Sequence, residues 1–81
     1  MEPNALAASA ANTDDPRVGL RAIVSLRALA DALELTQVEA ALRAGMSWLE
    51  IADALGVTRQ AVHKKYAKRV DPTIPIPRRT Q

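Results

Sequence analysis

From about residue 16 to about residue 70, apolar residues recur at helical spacing and never alternate as in a strand. Placed at 100° per residue, Val18, Ala22, Ile23, Leu26, Leu29, Ala30 and Leu33 fall on one broad arc. Arg17, Arg21, Arg27, Asp31 and Glu34 lie opposite. Asp15 can accept a hydrogen bond from the first turn, and Pro16 fits the first helical position. Together these signals predict a first helix over 16–34. Thr36-Gln37-Val38-Glu39 has the spacing of a capping box, in which a hydroxyl and a carboxylate satisfy each other's backbone amides. It predicts a short second helix to residue 44, with Val38, Ala41 and Leu42 inward and Gly45 in the left-handed stop. The same stretch also allows one helix continuous with the first. Ser47-Trp48-Leu49-Glu50 repeats the box and predicts a helix over 48–55 that buries Ile51, Ala52 and Leu55. Gly56 stops it, and Thr58 caps a last helix over 59–69, with Val62, Tyr66 and Ala61 toward the core.

Leu20 and Val24 break the first pattern. They fall among charges, and Ala28 and Leu35 continue their stripe. A helix that is apolar on a second side needs a second partner. Leu20, Val24 and Ala28 are therefore expected to form the interface of a homodimer, against the alternative of scattered surface residues. Outside the periodic region, residues 1–14 are small and polar and read as a disordered leader. "DPTIPIPRRTQ", residues 71–81, carries three prolines and reads as an extended basic tail. The expectation is thus an all-α fold of three to four short helices over 16–70.

Composition narrows the chemistry. Eighty-one residues allow one small domain, and the absence of cysteine excludes disulfides, Cys-based metal sites and thiol catalysis. One histidine and carboxylates scattered over helix faces offer no paired acid and base, so no enzyme activity, cofactor or metal is expected. "ALAASAA" is too short and weakly apolar for a signal peptide or membrane span, which makes a cytoplasmic, nucleoid-associated location the expectation. Charge is divided unevenly. Residues 1–55 hold four basic and eight acidic side chains, a net of −4, whereas residues 56–81 hold seven basic and one acidic, a net of +6. The basic segment lacks the large apolar face of an interfacial helix, so nucleic acid is favoured over membrane.

Two short helices joined by a tight glycine turn make a helix-turn-helix. Ala52 stands four residues before Gly56, where the helices cross and only a small side chain permits close approach. Val57 is expected to plug the turn, and Val62, six residues after Gly56, to face the first motif helix. "WLEIADALGVTRQAVHKKY" resembles the helix-turn-helix family of bacterial DNA-binding regulators, with Ile51, Ala52, Leu55, Gly56, Val57 and Val62 at its structural positions. With the preceding helices it looks like a homeodomain-like or sigma-region-4-like regulator. "GVTRQAVHK" is also similar to the recognition helices of winged-helix repressors, but no strand pair follows Arg69 to build a wing. Lys65 departs from the family pattern, which often has an apolar residue there, and Tyr66 is expected to take over that packing.

The resemblance implies that the last helix enters the major groove of double-stranded DNA. Arg59, Gln60, His63 and Lys64 would then meet base edges: Arg59 matches a guanine edge and Gln60 an adenine edge. Lys65 and Lys68 are expected at phosphates, as are Ser47 and Trp48 at the start of the first motif helix and the Thr58 hydroxyl. Trp48 has the alternative of packing beside the first helix, and Thr58 that of a cap alone. Arg78 and Arg79 suit a basic arm or a plain tail. The function so implied is a sequence-specific transcriptional regulator, a homodimer on half-sites about 34 Å apart. Two other readings compete: a helical interaction module binding RNA polymerase or another regulator, and an architectural protein indifferent to sequence.

Overall fold

The computed structural model describes residues 3–75. Every regular element among them is a helix: α1 (Pro3–Ala11), α2 (Pro16–Arg43), α3 (Trp48–Leu55) and α4 (Arg59–Tyr66). The all-α class is therefore as expected. The chain divides into two units, Met1–Leu33 and Glu34–Gln81.

In the first unit, α1 corrects the expected disordered leader. Its sequence, PNALAASAA, is mostly alanine, the best helix former, and Pro3 sits at the first helical position. Leu6 is its buried residue. Asn12 Oδ1 then accepts from the Asp14 amide at 2.9 Å, turning the chain. Asp15 caps α2 as predicted, its Oδ1 accepting from Arg17 N at 3.2 Å and Val18 N at 3.4 Å. Gly19 faces the end of α1 with room for ordinary contact. A Cβ there would lie 3.4 Å from the Asn12 carbonyl oxygen and 3.5 Å from that of Ser9. Of the predicted inner arc, Ala22 is buried and Ile23, Leu26 and Leu29 are half-buried. Val18, Ala30 and Leu33 are exposed instead, since α1 is short and covers only part of the arc.

The second unit holds a core of Val38, Leu42, Trp48, Ile51, Ala52, Val62, Tyr66, Val70 and Ile74. Its first segment is the C-terminal part of α2, so of the two readings the sequence allowed, the continuous helix forms and not the break at residue 34. A capping threonine needs an extended backbone, but residues 34–37 stay helical. The continuous helix aligns Leu35, Val38 and Leu42 on one face against the core. Leu35 thus leaves the second apolar stripe to which its spacing assigned it. Gly45, at φ 90°, ends α2, with Met46 N donating to the Ala41 carbonyl at 3.0 Å.

The predicted box at Ser47 does form. Ser47 Oγ accepts from Glu50 N at 3.1 Å, and Glu50 Oε1 accepts from Ser47 N at 2.9 Å. Gly56, at φ 73°, closes α3, with Val57 N donating to the Ala52 carbonyl at 3.0 Å. Leu55 and Val57 are 39% and 48% exposed, and Ala61 is exposed, contrary to their predicted inward placement. The larger Trp48 and Tyr66 occupy the interior instead.

Past α4 the structure makes two more corrections. The helix ends at Tyr66 rather than residue 69, and Arg69 N and Val70 N both turn back to the Tyr66 carbonyl, at 2.9 and 3.1 Å. That turn carries Val70 and Ile74 into the core, so residues 71–75 belong to the fold rather than to a tail. Asp71 is the anchor. Its amide donates to Glu39 Oε2 at 2.9 Å, and its Oδ1 accepts from Thr73 N at 2.9 Å and Thr73 Oγ1 at 2.8 Å. The Thr73 hydrogen bonds hold the Asp71 carboxyl below its ordinary pKa, and Arg43, 3.7 Å away, adds to this. Two prolines in 71–75 did not prevent this, because an aspartate-anchored turn needs no helix. The rest of the expected tail lies outside the described residues.

Candidate nucleic-acid interface

The candidate surface is built on α4, and its rear side decides its front. Val62 and Tyr66 are 2% and 0% exposed, so the side of α4 that carries them is fixed against the core. At 100° per residue, Arg59, His63, Gln60 and Lys64 span one continuous arc of about 140° that begins about 20° from Tyr66 and runs round to the side opposite the buried pair. All four are exposed. The turn of Gly56, Val57 and Thr58 joins α3 to α4 without a longer loop. Thr58 adopts the extended backbone of a cap (φ −79°, ψ 155°), and its Oγ1 accepts from Ala61 N at 3.1 Å. The hydroxyl's acceptor capacity thus serves the helix first.

His63 stands next to Arg59 in the inner half of the arc. Its ring meets Trp48 edge-on, with centroids 5.2 Å apart and planes at 82°. Trp48 itself is 6% exposed, so it occupies its alternative role as a packed aromatic. Its side chain is not displayed for a phosphate. Ser47 is committed as well: the capping box places the Glu50 carboxylate at the start of α3, where a phosphate was expected. A helix start that already holds one anion disfavours another.

Lys65 falls outside the arc, on the opposite flank. Its Nζ lies 3.4 Å from Glu34 Oε1 and 5.2 Å from the Tyr66 ring. The Tyr66 hydroxyl donates to the same Glu34 oxygen. Burial, and then this hydrogen bond, push the Tyr66 hydroxyl pKa above its ordinary 10.0. Glu34, read from the sequence as a solvated residue of the first helix, is thus the hydrogen-bond partner of the most buried side chain. No local signal marks that link, because Glu34 and Tyr66 are 32 residues apart. Tyr66 is buried, as its position after Lys65 suggested.

Beyond the helix, Lys68 and Arg69 are exposed, and the Arg69 guanidinium lies 5.4 Å from the Tyr66 ring centre. Arg69 was absent from the predicted contacts, but it adds a cation beside the α4 C-terminus. Arg78 and Arg79 lie outside the described residues. Leu20, Val24 and Ala28 are exposed on α2 of the first unit, with Leu20 and Val24 each 64% exposed. Among the described residues, no group of three or more His, Cys, Asp or Glu side chains is placed to hold a metal, and no helix is long and apolar enough to cross a membrane. No family model matches the chain, and neither does any curated protein or solved structure.

Proposed function

We propose that the chain is a small sequence-specific DNA-binding regulator whose α4 enters the major groove. The observation that carries this reading is the exposed arc of Arg59, Gln60, His63 and Lys64 on a helix anchored in the core by Val62 and Tyr66. A rigid helix with polar readers on one face is what base-edge recognition needs, since a small misplacement breaks a bidentate hydrogen bond. Arg59 pairs with a guanine edge and Gln60 with an adenine edge. Lys64 and His63 meet a base edge or the neighbouring phosphate. Lys68 and Arg69 supply sequence-independent attraction. Lys65 contributes less, because Glu34 already screens it. The protein acts as a homodimer, by occupancy of its site in the nucleoid and without a catalytic step.

Fluorescence anisotropy on labelled duplexes over a salt series tests this. Log affinity is expected to fall with log salt at a slope of about −0.9 for each neutralised phosphate. Arg59→Ala should relax preference at one base pair, at a cost of about 1–3 kcal/mol, while Lys68→Ala weakens all sequences alike. Absence of binding to a random duplex pool at low salt would overturn the reading in favour of a protein-interaction module. Equal losses on every sequence for Arg59→Ala would instead establish an architectural role.

A further inference from the structure

The exposed stripe of α2 in the first unit carries more information than its apolarity. Buried Gly19 and Ala22 and half-buried Leu26 and Leu29 mark the inward side of the helix there. Leu20, Val24 and Ala28 lie about 180° away, at i, i+4 and i+8. Counted outward from Val24, this stripe is self-complementary. Four residues away on either side stand Leu20 and Ala28, a large residue and a small one. Seven residues away stand Arg17 and Asp31, opposite charges, and both are exposed.

We infer that the first unit pairs with a second copy of itself through an antiparallel α2–α2 contact whose two-fold axis passes at Val24. In that arrangement each residue meets the one equally far on the other side of the axis. Val24 meets Val24, Leu20 packs on the partner's Ala28, and Arg17 faces the partner's Asp31, each of the last two pairs occurring twice. Residues on one flank of such a seam face the same flank of the partner. Arg21 and Arg27 lie on opposite flanks and therefore do not meet. A parallel pair would set Arg17 against Arg17 and Asp31 against Asp31, which like-charge repulsion disfavours. The two-fold seam is short, so pairing is weak in free protein and strengthens when two copies are held on one duplex. The inference rests on the two-copy part of the proposed function and not on the DNA contacts.

The chain contains no cysteine, so a single introduced thiol reports one position. Helices packed about 8–10 Å apart bring facing Cα atoms within the roughly 4.4–6.8 Å that a disulfide spans. Under mild oxidation at high protein concentration, Val24→Cys should form disulfide-linked dimers and Leu20→Cys alone should not. An equal mixture of Leu20→Cys and Ala28→Cys should link into the mixed dimer. Ser25→Cys, exposed but off the seam, sets the background. Arg17→Asp in the Val24→Cys chain should cut linking about tenfold, and adding Asp31→Arg should restore it. Far-UV circular dichroism confirms that each variant keeps its helices. Self-linking of Leu20→Cys as strong as that of Val24→Cys overturns the antiparallel register, as does background-level linking throughout. Light scattering on the unmodified chain separates the two failures. A dimer without this linking pattern removes only the register, whereas a monomer at all concentrations, with and without duplex, removes the two-copy reading too.

Discussion

The two units of this chain share one helix, α2, yet are held by different forces. Residues 34–75 bury nine apolar side chains in one cluster, from Val38 to Ile74. In residues 3–33 the buried apolar side chains are Leu6 and Ala22, while Val18, Leu20, Val24 and Leu33 stay about half exposed or more. The second unit is therefore held by tertiary packing. The first relies on local terms: alanine propensity in α1 and the Asp15 cap. A helix that is amphipathic along its length yields a core only where other elements are placed to cover it.

The sharpest way to break this comparison is to cut one leucine on each side of the division. Leu42→Ala, at a site 1% exposed, is expected to cost about 2–5 kcal/mol, a large share of the stability of so small a domain. Leu33→Ala, at a site 58% exposed, should stay within about 0.5 kcal/mol. Thermal unfolding followed by far-UV circular dichroism compares them, and equal losses would erase the distinction. Ile74→Ala should follow Leu42→Ala at about 2 kcal/mol, because a residue outside the helices can relax into the cavity more readily than one within α2. An unchanged melting temperature for that variant would return residues 71–75 to the role of a tail.

Gly56→Ala should cost about 1–2 kcal/mol in urea unfolding. Its φ of 73° strains any other residue, although a Cβ there would meet open space. Tyr66→Phe should cost about 1 kcal/mol near neutral pH, through loss of the hydrogen bond to Glu34. The sign of its pH dependence follows from the raised pKa. The folded state favours the protonated hydroxyl, so its contribution is complete below the ordinary 10.0 and is lost as pH climbs from there toward the raised value. Stability measured at about pH 8 and about pH 11 should fall less in Tyr66→Phe than in the parent chain. A small effect is also expected in the first unit. Gly19→Ala should change stability by less than about 1 kcal/mol, because the gain in helix propensity offsets ordinary contact at 3.4 Å with the Asn12 carbonyl.

Much of the candidate surface was legible because its signals are local. Ser47 and Thr58 cap the helices that follow them, Gly45 and Gly56 take positive φ, and Val62 and Tyr66 sit on the buried side of α4. Once those two are buried, helical geometry turns Gln60 and Lys64 outward, whereas Arg59, only about 20° from Tyr66 round the helix, is exposed because it opens α4. Thr36 misled for an equally physical reason. A capping sequence offers hydrogen bonds to a helix start, but continuing the helix satisfied the same amides and kept Leu35 in line with Val38 and Leu42. The leader misled because small residues were read as unstructured when alanine favours helix.

By itself, then, the sequence determined that the chain is helical, where two helices stop, which residues cap α3 and α4, and which side of α4 is buried. Each of these depends on groups within about four residues of one another, the reach of a helical hydrogen bond. The tertiary structure alone decided that Trp48 packs against His63, that Glu34 takes both the Tyr66 hydroxyl and the Lys65 ammonium, and that Asp71 on Glu39 draws Ile74 into the core. The Glu34 and Glu39 links join groups 31 or 32 residues apart. Nothing in the local pattern can specify which distant carboxylate a hydroxyl, ammonium or amide will reach. That choice is made only when the fold brings the two groups within reach of each other.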